Sequence, residues 1–429
     1  MRRGSVNERV PEGWKNELLD KITNRASGHT PSKSIPAYWD GGIKWVSLAD
    51  SSRLDKLFIN ETCKAISEDG IKNSSAVLLP KGTVILSRDA GVGKSAILQD
   101  DMAISQHFIA WDCSSKKNIY NIFLYYWLQS KKPLFETQAV GSTIKTIGLP
   151  FFKKLKITYP QFFEQQKIAH ILTTWDAAIV CTQRLLENSK QQKKALMQQL
   201  LIGNQHTVSS VTTWKSYKFS ELFTTLCNAN NPRADLSENG EYGYIHYGDI
   251  HKLTTDFLDC NQLSISKISK NKLTKIELLK EGDLLVADAS EDYQGIGKSV
   301  EIKNLRGRHI VAGLHTILLR DNKKFLLDGF KGYIQHIPHV SKGLQKAATG
   351  ISVFGISKRA LLDVDVLLPP LDEQKAIAKI LTAADALIAQ YEVKLAHLQQ
   401  QKKALMQQLL TGKIRVMPDT LGNAGATPA

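Results

Sequence analysis

A long segment of this chain occurs twice, and this repeat limits the folds that the chain can adopt. Residues 164–203 return as residues 373–412, and 23 of the 40 positions are identical. The run QQKKALMQQLL is the same in both copies. Solenoid repeats are much shorter, at about 20–50 residues. The sequence therefore predicts a duplicated half-molecule, in which each repeat follows a domain of its own.

Both copies have the apolar spacing of a long amphipathic helix. Steps of four and three residues connect ten positions across 168–200, and the same ten recur across 377–409. This spacing is the a/d pattern of a coiled coil. Each copy has a lysine on this seam, Lys193 or Lys402. A lysine there must either reach solvent with its ammonium group or fix the register of the helices.

The two seams differ in polarity. Thr182 and Ser189 of the first copy correspond to Tyr391 and Leu398 of the second. This difference favours packing of one copy against the other. The alternative is that each helix only covers its own domain, because a core helix has the same period.

Local signals predict where these helices begin and end. Threonines at 173–174 and at 382 are typical helix caps, so we expect a short helix at 162–172 and a longer one at about 175–201. Gly203 and Gly412 stand where a terminating glycine is expected.

Two similar domains precede the repeats. Each alternates short β-rich runs with Gly, Asn, Asp and Pro breaks, and each contains a Gly-x-Gly-Lys-Ser segment, at Gly91 and Gly295. A glycine-led loop at Gly141 has a counterpart at Gly350. We therefore divide the chain into a first domain (1–159), a first helical spacer (160–203), a second domain (204–368) that opens with a polar linker at 204–213, a second helical spacer (369–412) and a flexible tail (413–429).

The charge of the chain favours a polyanionic partner. The formal net charge is +15, with +8 in residues 1–159 and +3 in residues 204–368. Nucleic acid is favoured over a membrane surface, although a merely basic soluble protein has the same balance. The five cysteines are odd in number and widely spaced, which predicts neither a disulfide framework nor a CxxC metal site. Without an apolar leader or an 18-residue apolar run, the sequence predicts a cytoplasmic protein with no membrane partner.

The Gly-Lys-Ser segments do not complete a phosphate-binding loop. That loop requires a glycine five residues before the Gly of Gly-Lys, where this chain has Arg88 and Asp292. The lysines of these turns, Lys94 and Lys298, therefore either contact a DNA phosphate or belong to plain solvated turns.

A loose nuclease pattern is present in the second domain only. Asp283, Glu301 and Lys303 have the order D…ExK, in which two carboxylates hold Mg²⁺ and a lysine supports the attacking water. The pattern is short and degenerate, and the first domain has Thr83, Ile97 and Gln99 in register. No histidine spacing indicates a metal site.

The chain contains the same order of elements twice: a domain, a helix that begins with Pro-x-x-x-Glu-Gln, and an ending of the form Lys-Lys-x-Leu-Met-x-x-Leu-Leu-x-Gly. This doubled order resembles the specificity (S) subunit of type I restriction-modification systems. The resemblance runs from VPEGW at Val10 to LLTG at Gly412, and its Pro-Glu-Gln motifs begin at Pro160 and Pro369. It implies an α+β fold class: two similar mixed α/β target-recognition domains separated by two long helices forming an antiparallel coiled coil, a pseudo-two-fold internal repeat.

The resemblance also implies a function. Each domain would read one half of a bipartite, asymmetric site in double-stranded DNA, and the helices would set the spacing and dock two adenine methyltransferase (M) subunits. Restriction/translocase (R) subunits would complete the complex. This chain would then have no catalytic residues, no metal and no cofactor of its own, since S-adenosylmethionine, ATP and Mg are used by the partner subunits.

Residues on turns and loops are the candidates for DNA contacts, because Lys and Arg bind phosphates or guanine and Ser, Thr and Gln donate hydrogen bonds. The DNA-binding candidates are Arg88, Lys94, Ser142, Thr143, Lys145, Lys298, Arg306, Arg308, Gln345 and Ser352. The resemblance adds candidates for the subunit interface: Glu164, Gln165, Leu196, Met197, Glu373, Gln374, Leu405 and Met406. The second domain has Ile351 and Phe354 where the first has polar Ser142 and Lys145, so the two loops need not contact DNA alike.

Two other functions stay open at this point. One is a Mg-dependent DNA nuclease that uses Asp283, Glu301 and Lys303. The other is a scaffold that bridges partners through its helices without reading DNA.

Overall fold

The computed structural model describes residues 10–202, 213–261, 264–274, 277–322 and 324–416. Gly203, nearly all of the expected linker at 204–213 and the tail beyond 416 lie outside the described residues. The chain divides into two compact units, Met1–Thr182 with Lys394–Ala429, and Gln183–Val393. Each unit thus combines one domain, the first half of the helix that follows it and the second half of the other helix.

The first domain is α+β. Its strands are β1 (Lys15–Leu18), β2 (Asn24–Ser27), β3 (Trp39–Val46), β4 (Phe58–Ile59), β5 (Lys64–Ile66), β6 (Val84–Ser87), β7 (Ser95–Leu98), β8 (Ala103–Ile104), β9 (Phe108–Asp112) and β10 (Lys156–Tyr159). Its helices are α1 (Leu19–Ile22), α2 (Glu68–Lys72), α3 (Asn121–Ser130), α4 (Lys132–Gln138) and α5 (Leu149–Lys153).

A five-stranded sheet forms the centre of the first domain, in the order β2-β9-β6-β7-β4. Strands β6 and β7 are fully buried, and their runs VILS and SAIL are continuously apolar or small, as expected of a sheet covered on both faces. Helix α3 packs on this sheet through Phe123, Tyr126 and Trp127, which are all buried. A three-stranded sheet (β5-β3-β8) and the pair β1-β10 complete the domain.

The second domain repeats this plan. Its strands are β11 (Lys215–Lys218), β12 (Phe223–Leu226), β13 (Leu236–Ser237), β14 (Tyr242–Ile245), β15 (Phe257–Asp259), β16 (Ser266–Ile268), β17 (Leu284–Ala287), β18 (Ala289–Ser290), β19 (Ser299–Lys303), β20 (Ile310–Ala312), β21 (Thr316–Asp321), β22 (Phe354–Gly355) and β23 (Asp365–Leu368). The helices between them are α7 (Phe219–Leu222), α8 (Tyr247–Lys252), α9 (Pro338–Ala347) and α10 (Lys358–Leu362).

The central sheets of the two domains have the same order and register. The second sheet runs β12-β21-β17-β19-β15, and Leu284 pairs with Glu301 as Val84 pairs with Ile97. A 3₁₀ helix at Lys331–His336 lies where the first domain has α3. A four-stranded sheet (β13-β16-β14-β20), together with the pairs β11-β23 and β18-β22, completes the second domain.

Each repeat forms one uninterrupted helix, α6 (Phe162–Leu200) and α11 (Leu371–Leu409). The predicted break near residue 174 was wrong. The hydroxyl of Thr174 donates to the carbonyl of His170, and that of Thr173 donates to the carbonyls of Ala169 and His170. A threonine that bonds back to the preceding turn continues a helix and does not cap a new one.

The predicted seam is confirmed. All ten seam positions of each helix are buried or half-buried, whereas most residues between them are exposed. Within the second unit the helices run antiparallel, because Lys193 bonds Asp385 and Lys190 bonds Glu392. Both hydrophobic cores contain residues of both helices. The first core includes Ile168 of α6 and Leu409 of α11, and the second includes Leu200 of α6 and Ile377 of α11.

The ammonium groups of the seam lysines end in ion pairs between the two helices. In the first junction, Lys402 of α11 binds Asp176 of α6, and Tyr126 Oη donates to the same carboxylate at 2.6 Å. In the second junction, Lys193 of α6 binds Asp385 of α11, and Tyr333 Oη donates to it at 2.7 Å. Each junction therefore takes its lysine from one copy of the repeat and its aspartate from the other.

The residues directly after α11 are held in place, contrary to the expectation that the tail frays from residue 413. Gly412 has a φ of +71° and lies against Pro11. Arg415 then binds the carboxylate of Glu164 through two hydrogen bonds of 2.9 Å, and the Val416 amide donates to the same carboxylate. A bidentate guanidinium–carboxylate pair fixes geometry well, so the ordered chain extends to at least residue 416.

Candidate nucleic-acid interface

Each domain has an exposed five-residue loop closed by the same pair of backbone hydrogen bonds. In the first tip loop, residues 141–145, the amides and carbonyls of Val140 and Thr146 bond each other at 3.1 and 2.9 Å. In the second tip loop, residues 350–354, Thr349 and Gly355 do so at 2.9 and 2.7 Å. The two domains thus present one backbone design at equivalent places.

Glycine is required at the start of both tip loops. Gly141 and Gly350 have φ values of +134° and +121°, which side chains rarely adopt. A Cβ would lie 2.2 Å from the carbonyl oxygen of Ile144 in the first loop and 2.0 Å from that of Val353 in the second. This explains why the glycine recurs while the residues after it differ.

The side chains of the tip loops have different chemistry. Ser142, Thr143 and Lys145, which were predicted to bind DNA, are all exposed in the first loop. The second loop also exposes Ser352, but beside it Ile351 is 94% exposed. The first loop can donate and accept hydrogen bonds, whereas the second is largely apolar.

The Gly-x-Gly-Lys turns lie beside the tip loops, and their lysines are engaged within the domains. The ammonium group of Lys94 donates to the carbonyl and hydroxyl of Ser51 at 3.1 and 3.0 Å. Lys298 donates to the carbonyls of His251 and Leu253 at 3.0 and 2.6 Å, and its burial lowers its pKa. These lysines therefore hold the turns to their domains, in addition to any contact with DNA.

A groove lies beside each Gly-x-Gly-Lys turn. The groove of the first domain has a volume of about 390 Å³ and is lined by Gly91, Val92, Lys94, Lys132, Glu136, Ala139 and Lys145. The groove of the second has a volume of about 490 Å³, and its lining includes Gly297, Lys298, Gln335, His336, Ser341 and Gln345. Six of the ten predicted DNA contacts, Lys94, Ser142, Thr143, Lys145, Lys298 and Gln345, thus line a groove or lie on the first tip loop.

Of the remaining four, two belong to the same ends of the domains. Arg88 lies at the end of β6 and donates to the carbonyl of Ile147, directly after the first tip loop. Ser352 lies on the second tip loop. Arg306 and Arg308 follow β19, whereas Lys298 precedes it, so the five residues of this strand separate them from the groove by about 16 Å. The structure does not bring these two arginines to the second tip loop.

The segments around the tip loops are positively charged, which the choice of individual DNA-binding candidates from the sequence did not reveal. Residues 131–154 contain five Lys and one Glu, and residues 338–362 contain four Lys or Arg and no Asp or Glu. The residues Lys342, Lys346, Lys358 and Arg359 are exposed. A count of charge in windows around Gly141 and Gly350 would have found these segments.

The nuclease pattern does not form a metal site. Asp283 accepts two hydrogen bonds from Arg320, at 2.8 and 2.7 Å. Glu301 is buried, which raises its pKa, and it accepts the amides of Gly329 and Gly332 at 2.6 and 2.9 Å. Within the described residues, no group of three or more His, Cys, Asp or Glu side chains could hold a metal ion. The carboxylates therefore serve the fold of the second domain.

Glu164 and Gln165, two of the predicted interface residues, are bonded within the fold. Both are buried at the start of α6. Gln165 accepts the amide of Tyr120 at 2.8 Å and donates to the carbonyls of Asn118 and Pro160 at 3.0 Å. Glu164 binds Arg415, which follows α11. The role of both residues at a subunit interface stays a prediction.

The second copy has the same arrangement. Glu373 and Gln374 are buried, and Gln374 accepts the Leu327 amide at 3.0 Å and donates to the carbonyls of Phe325 and Pro369. The other four predicted interface residues, Leu196, Met197, Leu405 and Met406, are partly buried against the two cores. The Glu-Gln motif therefore joins helix to domain.

Comparison with known proteins places this architecture in a family. The family model described as "Type I restriction modification DNA specificity domain" matches residues 11–189 and again 212–400. The chain belongs to this family. Each match covers one domain and most of the helix that follows it, so each half of the chain is one specificity domain. The task of such a subunit is sequence recognition rather than catalysis.

Individual specificity subunits agree with this assignment. The chain is 30% identical over 190 residues to the MjaIX specificity subunit of Methanocaldococcus jannaschii, covering 44% of this chain and 42% of that protein. It is 25% identical over 433 residues to the MjaVIII specificity subunit of the same organism, covering 95% and 94%. The crystal structure of the type I system S subunit from M. genitalium has the same fold, with a TM-score of 0.55, 14% identity and coverage of 95% and 98%. Among the described residues, no helix has the length and apolar character to cross a membrane.

Proposed function

We propose that this specificity subunit reads a bipartite site in double-stranded DNA, one half with each domain. The observation that carries the proposal is the pair of tip loops, which share one backbone design and differ in their side chains. A reader of two unlike half-sites needs this combination, because the backbone sets the approach to the groove and side chains select the bases.

The basic segments around each tip loop support the same role. Phosphate contacts from Lys and Arg supply affinity without selecting sequence. Lys145 in the first domain and Lys342, Lys346 and Lys358 in the second are exposed and flank the tip loops. The half-buried lysines of the Gly-x-Gly-Lys turns, Lys94 and Lys298, would hold the loops in position for this contact.

The helices supply the remaining part of the proposal. They would set the distance between the half-sites and bind two methyltransferase (M) subunits, and R subunits would join for restriction. S-adenosylmethionine, ATP and Mg would be used by those partners, in the cytoplasm where DNA is available. Since the Glu-Gln motifs are buried, the exposed helix residues away from the seam, such as Val180, Leu387 and Val393, are the better candidates for partner contacts.

Methylome sequencing of a host that expresses the complete system tests the proposal. The expected result is one bipartite motif with a fixed spacer. Exchanging residues 1–159 for those of another specificity subunit should change one half of the motif and leave the other. A change in both halves, or no methylated motif in a host where all subunits are expressed and assembled, would contradict the assignment of one half-site to each domain.

A further inference from the structure

The second tip loop holds an apolar side chain in water. Ile351 is 94% exposed, whereas the equivalent residue of the first tip loop is Ser142. The loops are alike two positions later, where Ile144 and Val353 are 57% and 58% exposed. The loops therefore differ in chemistry at two positions, Ser142 against Ile351 and Lys145 against Phe354, and Ile351 is the more exposed of the two apolar residues.

The backbone under Ile351 is fixed on both sides. Strand β22 pairs with β18, and the Ile356 amide donates to the carbonyl of Asp288 at 2.8 Å. The ring of Phe354 contacts the edge of Tyr293, with 5.2 Å between ring centroids, and Tyr293 Oη donates to the Gln345 carbonyl at 2.9 Å. A fixed loop cannot fold its apolar tip back into the domain, so burial of Ile351 requires another molecule.

The charge around the loop indicates that this molecule is DNA. Residues 338–362 carry four Lys or Arg and no Asp or Glu, and they include the helices on both sides of the loop. Such a segment attracts a polyanion. On the base-pair edges of duplex DNA, the exposed apolar group is the C5 methyl of thymine in the major groove.

We propose that Ile351 contacts a thymine methyl group in the half-site read by the second domain. The first tip loop, with Ser142 at the position of Ile351, selects its half-site through hydrogen bonds. This inference rests on the proposed function and adds the base that the second domain requires.

Deoxyuridine substitution tests the contact, because it removes the methyl group and leaves the base pair unchanged. The assembled complex of this chain with its methyltransferase subunits would be titrated with a duplex of the methylated motif. Each thymine of the second half-site would be replaced in turn by deoxyuridine. One replacement should weaken binding by the wild-type complex by about fourfold, the effect of burying one methyl group.

The Ile351→Ser variant completes the test. It should bind the thymine duplex more weakly than the wild-type complex and bind the thymine and deoxyuridine duplexes equally. The matched control is Val140→Ser, which changes a 73% exposed apolar residue beside the first tip loop and should keep the full deoxyuridine effect in the second half-site. Both residues are exposed, so equal thermal midpoints for the three proteins are expected.

Three results would overturn the inference while leaving the proposed function in place. They are a second half-site without thymine, wild-type binding that is indifferent to every deoxyuridine, and an Ile351→Ser complex that still distinguishes the duplexes. Failure of the wild-type complex to prefer its motif over a scrambled duplex would instead overturn the proposed function.

Discussion

The two helix–domain junctions contain the same three residue types, but the second is more elaborate than the first. In both, a lysine from one helix binds an aspartate of the other and lies near a tyrosine ring, 5.2 Å from the centroid of Tyr126 and 5.5 Å from that of Tyr333. At the second junction, Lys193 also binds Asp256, at 2.8 Å. Both halves thus share the exchanged ion pair, and the second half differs by an additional acid.

The two junctions differ in how deeply their lysines are buried. The side chain of Lys193 is 10% exposed and that of Lys402 is 20% exposed. Burial lowers the pKa of Lys193, but Asp256 and Asp385 raise it by more, so the pKa lies above its ordinary value. Burial likewise raises the pKa of Asp256, but His336 and Lys193 lower it by more. The second junction is therefore a more buried charge network, in which every member depends on the others.

Replacing Lys193 should have the largest effect. In Lys193→Met, Asp256 and Asp385 lose their shared cation, and we expect the free energy of unfolding to fall by about 3–5 kcal/mol. Lys402→Met, the matched change at the more exposed junction, should cost about 1 kcal/mol. Urea unfolding of both variants measures the difference. Equal losses would show that the added acid and deeper burial have no energetic consequence.

Acid should weaken the second junction through Asp256. Its folded-state pKa is below the ordinary value of 3.8, so its stabilising contribution is present above that pH and is lost as the pH falls through the folded-state value. Asp256→Asn should cost about 1–3 kcal/mol at pH 7, and the cost should shrink as the pH falls below 3.8. Urea midpoints of wild type and variant across pH 3–7 measure it. A cost that is constant over this range would contradict the pKa assignment.

The tip-loop glycines should give smaller and equal losses of stability. Gly141→Ala and Gly350→Ala each place a Cβ against a loop carbonyl, and each should cost about 1 kcal/mol because alanine is strained at positive φ. Gly350→Ala should weaken binding only to the half-site of the second domain, and Gly141→Ala only to the other. Duplexes with one scrambled half-site distinguish the two effects. If either variant affected both half-sites, the loops would not act separately.

The exposed ion pair between α6 and α11, Lys190 with Glu392, should contribute least to stability. Lys190 and Glu392 bind at 2.8 Å, but their side chains are 46% and 47% exposed. Exposed pairs contribute little, so Lys190→Ala should change the free energy of unfolding by less than about 0.5 kcal/mol. The same urea titration measures this change. A loss as large as that of Lys402→Met would mean that the exposure of an ion pair does not determine its contribution to stability.

The repeat made the architecture predictable, because a heptad seam sustained over ten positions is a strong periodic signal. The repeat correctly gave the paired helices and the position of the lysines, whereas the β-rich runs of the domains and the family resemblance gave the α+β class. The carboxylates that bind those lysines were not predictable, since Asp176 and Asp385 are distant in sequence from Lys402 and Lys193. The predicted helix break failed because a threonine hydroxyl can cap a helix or bond back to the preceding turn, and the sequence does not distinguish the two.

The candidate site was predictable where glycine constrains the backbone. The loop at Gly141 and the turn at Gly91 were found for this reason. Glu164 and Gln165 are buried and bonded within the fold, which by itself explains why they recur, and their role at a subunit interface stays a prediction. Arg306 and Arg308 were chosen as basic residues on turns, and only the strand between them and Lys298 shows that they are separated from the second groove.

The exchange of lysines between the two helices bears on how such a chain could have originated. A polypeptide with one domain and one helix would carry Asp176 and Lys193 on the same helix, about five turns apart, where they cannot meet. Two identical polypeptides in antiparallel contact would satisfy both pairs. The present chain therefore has the bonding of a homodimer fused end to end, in which the second half alone places an acid at Asp256 beside the lysine and has an apolar tip loop.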